Sequence, residues 1–425
     1  MSVQNWGGNV TYTPSEIHRP TSLADLQALV RSSAQVRAVG SRHSFNRIAD
    51  AGAPGGVLVA TSAMPAELEV DAGARVVRAS GGLTHAALAA QLHAAGWALP
   101  NLASLPHLSV AGAVQTGTHG SGARNPALAA SVVAVELVDA DGELQRVTAE
   151  DADFPVAVVG LGALGVVTTV EHRLAPTFEV EQRVVGGLAW DRILPQLEEV
   201  MASAYSVSLF TGYLPGEPVR AWVKHAVDSP DQPSRWPQWL VDELGGHEAD
   251  EPVHPVPGVP ADGVTTQGGV PGPWHERLPH FSADSVPSVG DEIQTEYFVD
   301  VERGVEAIEL LRGLGEQLAP ALRVAEVRRV APDEAWLSPA WQRDSLALHF
   351  TWRNDDDAVA AAVALLEQVL LPLGARPHWG KQFAASHDQL AAAYPRLREA
   401  AAVVARRDPA GRFRNEFLSR VLGLG

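Results

Sequence analysis

The sequence predicts an α+β protein of two or three domains, and three observations carry that expectation. The chain has 425 residues, against roughly 150 for a common domain. In its first hundred residues short β-branched runs alternate with helical patterns. In its last third, strands whose side chains alternate between two faces accompany a helix.

The elements follow in order. Asn5-Trp6-Gly7-Gly8-Asn9 opens a polar, Gly-rich arm. Ser22 is a plausible N-cap, and Leu23, Leu26, Leu29 and Val30 recur at helical spacing. Gln35 to Val39 reads as a strand that Gly40 ends. Val57–Val59, Leu68–Val70 and Val76–Ala79 read as further strands, and Thr84 caps an Ala- and Leu-rich helix ending near Gly96. Residues 99–122 are too rich in Gly and Pro to stay regular. Within them Ser109–Val114 can form a short helix whose first turn faces a phosphate. Gly117 to Gly122 is a loop small enough for backbone to approach a ligand. Asp141-Gly142 between two apolar runs signals a hairpin. Gly160, Gly162 and Gly165 mimic the dinucleotide fingerprint, yet a β-branched strand follows where that fingerprint needs a helix. Residues 228–280, with many Pro and Gly and scattered Trp, read as a long ordered excursion. Glu292–Val299 reads as a strand and Val301–Gln317 as a helix.

Composition narrows the function. A formal charge of −18 argues against nucleic acid and anionic membranes as partners. The chain has no cysteine, which excludes disulfides, thiol nucleophiles and cysteine–metal sites. Only Lys224 and Lys381 are lysines. No stretch has the length of a membrane span, and no basic-then-apolar leader opens the chain. The expectation is a soluble, cytoplasmic protein with no evident protein partner.

The most informative stretch is Gly40-Ser41-Arg42-His43-Ser44-Phe45-Asn46. A loop of small polar residues after a strand exposes backbone N–H groups suited to a phosphate. It carries His43, a side chain able to act as a nucleophile. By itself a loop histidine is more often structural. In the last third, Glu326 and Arg328 share one strand face, as do His349 and Thr351, and His378-Trp379-Gly380-Lys381 sets a lysine beside a tryptophan. By themselves these fit a solvated charge pair and a half-buried histidine.

Together these motifs resemble the vanillyl-alcohol-oxidase-type flavoproteins, most closely their alditol oxidase branch, over nearly the whole chain to Asp408–Phe417. The resemblance implies a two-subdomain FAD-binding domain of that type at 1–180, a substrate-binding cap domain with an antiparallel sheet at 181–378, and a C-terminal return at 379–425. It implies FAD bonded covalently through His43. It further implies cofactor contacts from Val39, Gly40, Ser41, Arg42, Ser44, Phe45, Ser104, Ser109, Gly112, Thr116, Gly117, Thr118, His119, Gly122, Gly165, Val166, His378 and Lys381. Ser104, Glu326, Arg328, Thr351 and Lys381 would hold a small polyol such as xylitol or sorbitol, with His349, Lys381 and Arg328 catalytic. His349 and Lys381 are both open as the proton acceptor. O₂ would reoxidise the flavin to give peroxide. Arg42 departs from the branch, where a Gly can stand. An aldonolactone oxidase or dehydrogenase of the same fold is the alternative. A sugar-binding protein without flavin is a second one. A metallohydrolase fits poorly, because no paired-histidine spacing falls on a predicted helix.

Overall fold

The computed structural model describes residues 3–52, 55–227, 238–285 and 291–425. Part of the excursion expected at 228–280 therefore lies outside the described residues.

Three short strands, β1 (Ile17–His18), β2 (Val36–Ala38) and β3 (Val57–Val59), form a parallel sheet with β3 in the middle. Helix α1 (Leu23–Ser32) is capped by the Ser22 side chain, which accepts from the Asp25 N–H. Its buried Leu26 and Val30 pack with Val36, Val59 and Phe413 in one apolar cluster. The second sheet is antiparallel, of β4 (Leu68–Asp71), β5 (Val76–Ser80), β6 (Val132–Val138), β7 (Leu144–Thr148) and β8 (Val166–Arg173), in the order β4-β5-β8-β6-β7. The β6–β7 hairpin turns through Gly142 at φ 76°, the conformation that the Asp-Gly pair supplies. Helix α2 (His85–Ala94) starts at the Thr84 cap, and the short α3 (Val110–Gln115) follows Ser109.

A large antiparallel sheet is built mainly from β9 (Glu179–Leu188), β10 (Ser206–Thr211), β11 (Val219–Val227), β12 (Glu292–Asp300), β13 (Leu322–Val330) and β14 (Ser345–Arg353). These run in the order β9-β11-β10-β13-β14-β12. Helices α4 (Gly304–Leu318) and α5 (Asp356–Leu370) contribute Ile308, Leu311, Val363 and Leu366 to the core that also holds Tyr297, Val327, Leu348 and Phe350. The alternate residues of the same strands point the other way. Register sets Glu326 opposite His349, and His349 opposite Glu296. Strands β12 to β14 are thus buried on both faces while one face is polar. Burying ionisable side chains costs several kcal/mol each unless they are paired, so such a face is a sign of function.

The C-terminal residues return to the first sheet. The Val36 N–H donates to the Arg412 carbonyl at 2.8 Å, and the Asn415 side-chain amide donates to the carbonyls of Arg47, Ile48 and Asp50. Among the described residues no helix is long and apolar enough to cross a membrane.

Candidate active site

A cavity of about 340 Å³ has two unlike walls, a volume in the range of small-molecule sites. One wall is backbone and small side chains from residues 38–44, 81–82, 103–119 and 161–167. Space there is closed to larger residues. A Cβ on Gly40 would collide with Ser109 Oγ, and one on Gly112 would lie 2.7 Å from the same atom. Buried Arg37 ties this wall together. Its guanidinium donates to the carbonyls of Ile48, Leu161, Gly162 and Phe413, joining the loop after β2, the glycine turn before β8 and the C-terminal segment. Arg42 sits at φ 62°, the left-handed region that glycine adopts most easily. Its carbonyl accepts from the Trp6 N–H and its guanidinium donates to the Gln4 carbonyl, so the N-terminal arm holds the unusual turn.

His43 lines the cavity from this wall. Its ring lies 4.4 Å from that of Trp6 and edge-on to Phe45 at 5.5 Å. Its Nε2 is sealed from solvent and has no hydrogen-bond partner among the described residues. Burial, with the Lys381 and His107 charges adding to it, pushes the imidazole down to about 3. At neutral pH it therefore keeps an uncommitted lone pair.

The opposite wall is the polar face of β12, β13 and β14. Arg328 donates to Glu296 Oε1 and, at 3.3 Å, to Ser104 Oγ; its Nε lies 3.6 Å from Glu326 Oε1. Glu296 also faces His119 Nε2 at 3.2 Å and Lys381 Nζ at 3.9 Å. Burial would raise the Glu296 carboxyl, but Arg328, His119 and Lys381 overcome it and hold the group well below the usual carboxylate range. Glu326 is likewise held down against its burial by Arg328 and His280. Burial lowers Lys381 to about 8, with Glu296 opposing and Arg328 assisting, and lowers His349 well below the histidine norm. Lys381 and His349 both meet the Gln294 side-chain oxygen, Lys381 as donor and His349 through Nε2 at 3.2 Å. The Gln294 amide nitrogen donates to Glu292 at 2.6 Å.

All the substrate-side residues implied by the resemblance line this cavity, as do His378, Thr116, Thr118, His119, Gly165 and Val166. Phe45, Gly117 and Gly122 do not. Phe45 is fully buried against Trp6 and His43, Gly117 turns at φ 69°, and Gly122 donates to the Arg329 carbonyl, docking its loop on β13. Sequence reasoning missed Glu296, Gln294 and His280 in the site. The signal was present for two of them: Glu292, Gln294 and Glu296 alternate along one strand, and three polar residues on one face of a strand flanked by apolar neighbours mark a buried polar surface.

A family model described as an FAD binding domain matches residues 14–148, and one described as D-arabinono-1,4-lactone oxidase matches residues 291–421. Cholesterol oxidase from B. sterolicum superposes with a TM-score of 0.75 over 99% of this chain and 96% of its own at 14% identity, a likeness of fold alone. The backbone-lined wall and the free imidazole of His43 suit a flavin nucleotide, and the molecule is an FAD-binding flavoprotein with the vanillyl-alcohol-oxidase fold. The chain is 47% identical to an alditol oxidase of a Streptomyces species over 422 residues, covering 99% of both chains. It is 29% identical to an L-gulono-1,4-lactone dehydrogenase of Mycobacterium tuberculosis over 99% of this chain and 98% of that one, and 24% identical to the L-gulonolactone oxidase of Mus musculus over the same shares. The chain belongs to the alditol oxidase family.

Proposed function

We infer that the protein is an FAD-dependent alditol oxidase that takes a terminal CH₂OH of a polyol such as xylitol or sorbitol to the aldehyde. What supports this reading beyond family is convergence. Ser104, Glu326, Arg328, His349, Thr351 and Lys381, from four separate segments, share one cavity with His43. Domain limits of 1–180 and 379–425 for the FAD-binding domain and 181–378 for the cap accord with the return of the C-terminal segment to β2.

The residues divide the work. His43, neutral and uncommitted, would hold the flavin covalently at its 8α-methylene, and Val39 to Ser44, Ser109, Gly112, Thr116 and Thr118 would cradle the rest. Bound FAD would supply the hydride acceptor, and O₂ would take up the two electrons with two protons as hydrogen peroxide. A polyol presents hydroxyls that both donate and accept. Glu326 accepts from a distal hydroxyl, and Thr351 and Ser104 serve either way. Arg328 and Lys381 donate to the terminal oxygen and favour its developing negative charge.

The proton goes to His349. Gln294 Nε2 donates to Glu292, which fixes the amide so that its oxygen is the acceptor facing Lys381 and His349. His349 Nε2 therefore carries the hydrogen, and Nδ1 keeps the lone pair. Burial keeps that ring neutral, so Nδ1 offers a lone pair to the hydroxyl proton. The test is peroxide release by the purified protein with xylitol and with L-gulono-1,4-lactone. Release with xylitol and little with the lactone is expected. Release with the lactone alone would move the protein to the lactone oxidases.

A further inference from the structure

Behind Glu326, and outside the cavity lining, lies the other lysine of the chain. Lys224 on β11 has no exposed surface. Its Nζ donates to the Leu278 carbonyl and to the Pro279 carbonyl at 3.0 Å and lies 3.2 Å from His280 Nδ1; burial lowers the amine to about 7, with the Glu326 charge opposing. An ammonium has three N–H donors, and these three acceptors use them all. The third bond requires a lone pair on His280 Nδ1, so the ring hydrogen sits on Nε2. That nitrogen lies 2.9 Å from Glu326 Oε1. The tautomer of His280 is thus set from one side and spent on the other.

The ring has little freedom to do otherwise. Trp222 and Phe210 pack edge-on against it at 5.1 and 5.6 Å. The His280 backbone N–H donates to the Ser104 carbonyl, and its backbone carbonyl accepts from the Thr265 N–H. Without the Nε2 hydrogen, Glu326 would face a lone pair. Its nearest alternative partner is Arg328, whose Nε is already 3.6 Å from the same oxygen. A collapse onto Arg328 would withdraw both groups from a ligand.

We propose that Lys224 and His280 are a positioning pair that orients Glu326 to accept a distal hydroxyl, and so set the affinity for longer polyols. The proposal rests on the reading of Glu326 as a polyol ligand. Neither member touches the reacting carbon. Lys224 also holds the Leu278 and Pro279 carbonyls of the segment whose His280 and Phe281 backbone N–H groups donate to the Ser104 carbonyl.

The test is steady-state kinetics of the flavin-loaded enzyme with xylitol and with glycerol, alongside bound-flavin content. His280→Phe should raise the xylitol KM about tenfold, the worth of one hydrogen bond to a charged group, with kcat and flavin content near wild type. Glycerol, too short to reach the distal contact, should change less. His280→Gln, whose amide can supply the lost N–H, should restore most of the affinity, and Lys224→Met should shift KM in the direction of His280→Phe. An unchanged xylitol KM in His280→Phe, or no recovery in His280→Gln, would overturn the pair. If Lys224→Met does not fold, the two His280 variants decide alone. Glu326→Ala separates the two claims. An unchanged xylitol KM there would remove Glu326 as a ligand and with it the premise. A raised KM there, with His280→Phe at wild-type KM, would remove only the positioning pair.

Discussion

One wall of the cavity is made of backbone and the other of charge. The loop wall gathers contiguous runs, 38–44 and 103–119, whose small residues let main chain approach a ligand, and it exposes one reactive side chain, His43. The sheet wall gathers single residues from three long strands, and nearly all of them are ionisable or amide side chains bound to one another. A cofactor is held by shape and by many weak backbone contacts. A substrate that reacts needs a few strong groups whose protonation is set in advance. The difference predicts that substituting the ionisable groups of the sheet wall changes turnover and leaves the flavin in place, while removing His43 from the loop wall changes the flavin.

The largest effect is expected at Lys381. If Lys381 donates to the reacting oxygen as proposed, Lys381→Met should lower kcat about 10²- to 10³-fold, with the ratio of flavin to protein absorbance unchanged. Full turnover would exclude Lys381 from the site. Next is Glu296→Gln, which leaves Arg328 buried opposite a neutral amide; unfolding by denaturant should show a loss of about 3 kcal/mol. A loss below about 1 kcal/mol would mean that Arg328 finds its compensation elsewhere.

A pH profile gives a gentler test. Lys381 is lowered to about 8, so its ammonium is present below that pH and lost above it. If the ammonium is a donor and His349 the base, kcat/KM with xylitol should fall as pH rises through about 8. A rise through the same window would make neutral Lys381 the base. The smallest effect is expected at Arg42. Glycine there relieves a left-handed backbone but gives up the bond to the Gln4 carbonyl and gains freedom when unfolded. Arg42→Gly should shift stability by no more than about 1 kcal/mol and leave flavin attachment intact.

The two walls also differ in how far they could be read from sequence. The loop wall was legible because its chemistry lies in one run, Gly40 to Asn46, where neighbours in sequence are neighbours in space. Even there Arg37 escaped, since an arginine in a short strand gives no hint that it is buried and binds four carbonyls. On the sheet wall, Glu326, Arg328, His349 and Thr351 showed by alternation that they share a face. Their partners did not show, because the pairing of Glu326 with His349 and of His349 with Glu296 depends on register between strands far apart in the chain. Lys224 and His280 lie further still from any local pattern. Their roles follow from hydrogen-bond bookkeeping around atoms that only the folded chain brings together.

The division between the walls turns on the uncommitted imidazole of His43. Purified wild-type protein and His43→Ala, each precipitated with acid and washed, test it most directly by the flavin absorbance left in the pellet. A yellow wild-type pellet, with the flavin on the peptide that contains His43, and a colourless His43→Ala pellet are expected. A wild-type pellet that loses its colour to the supernatant would contradict the account.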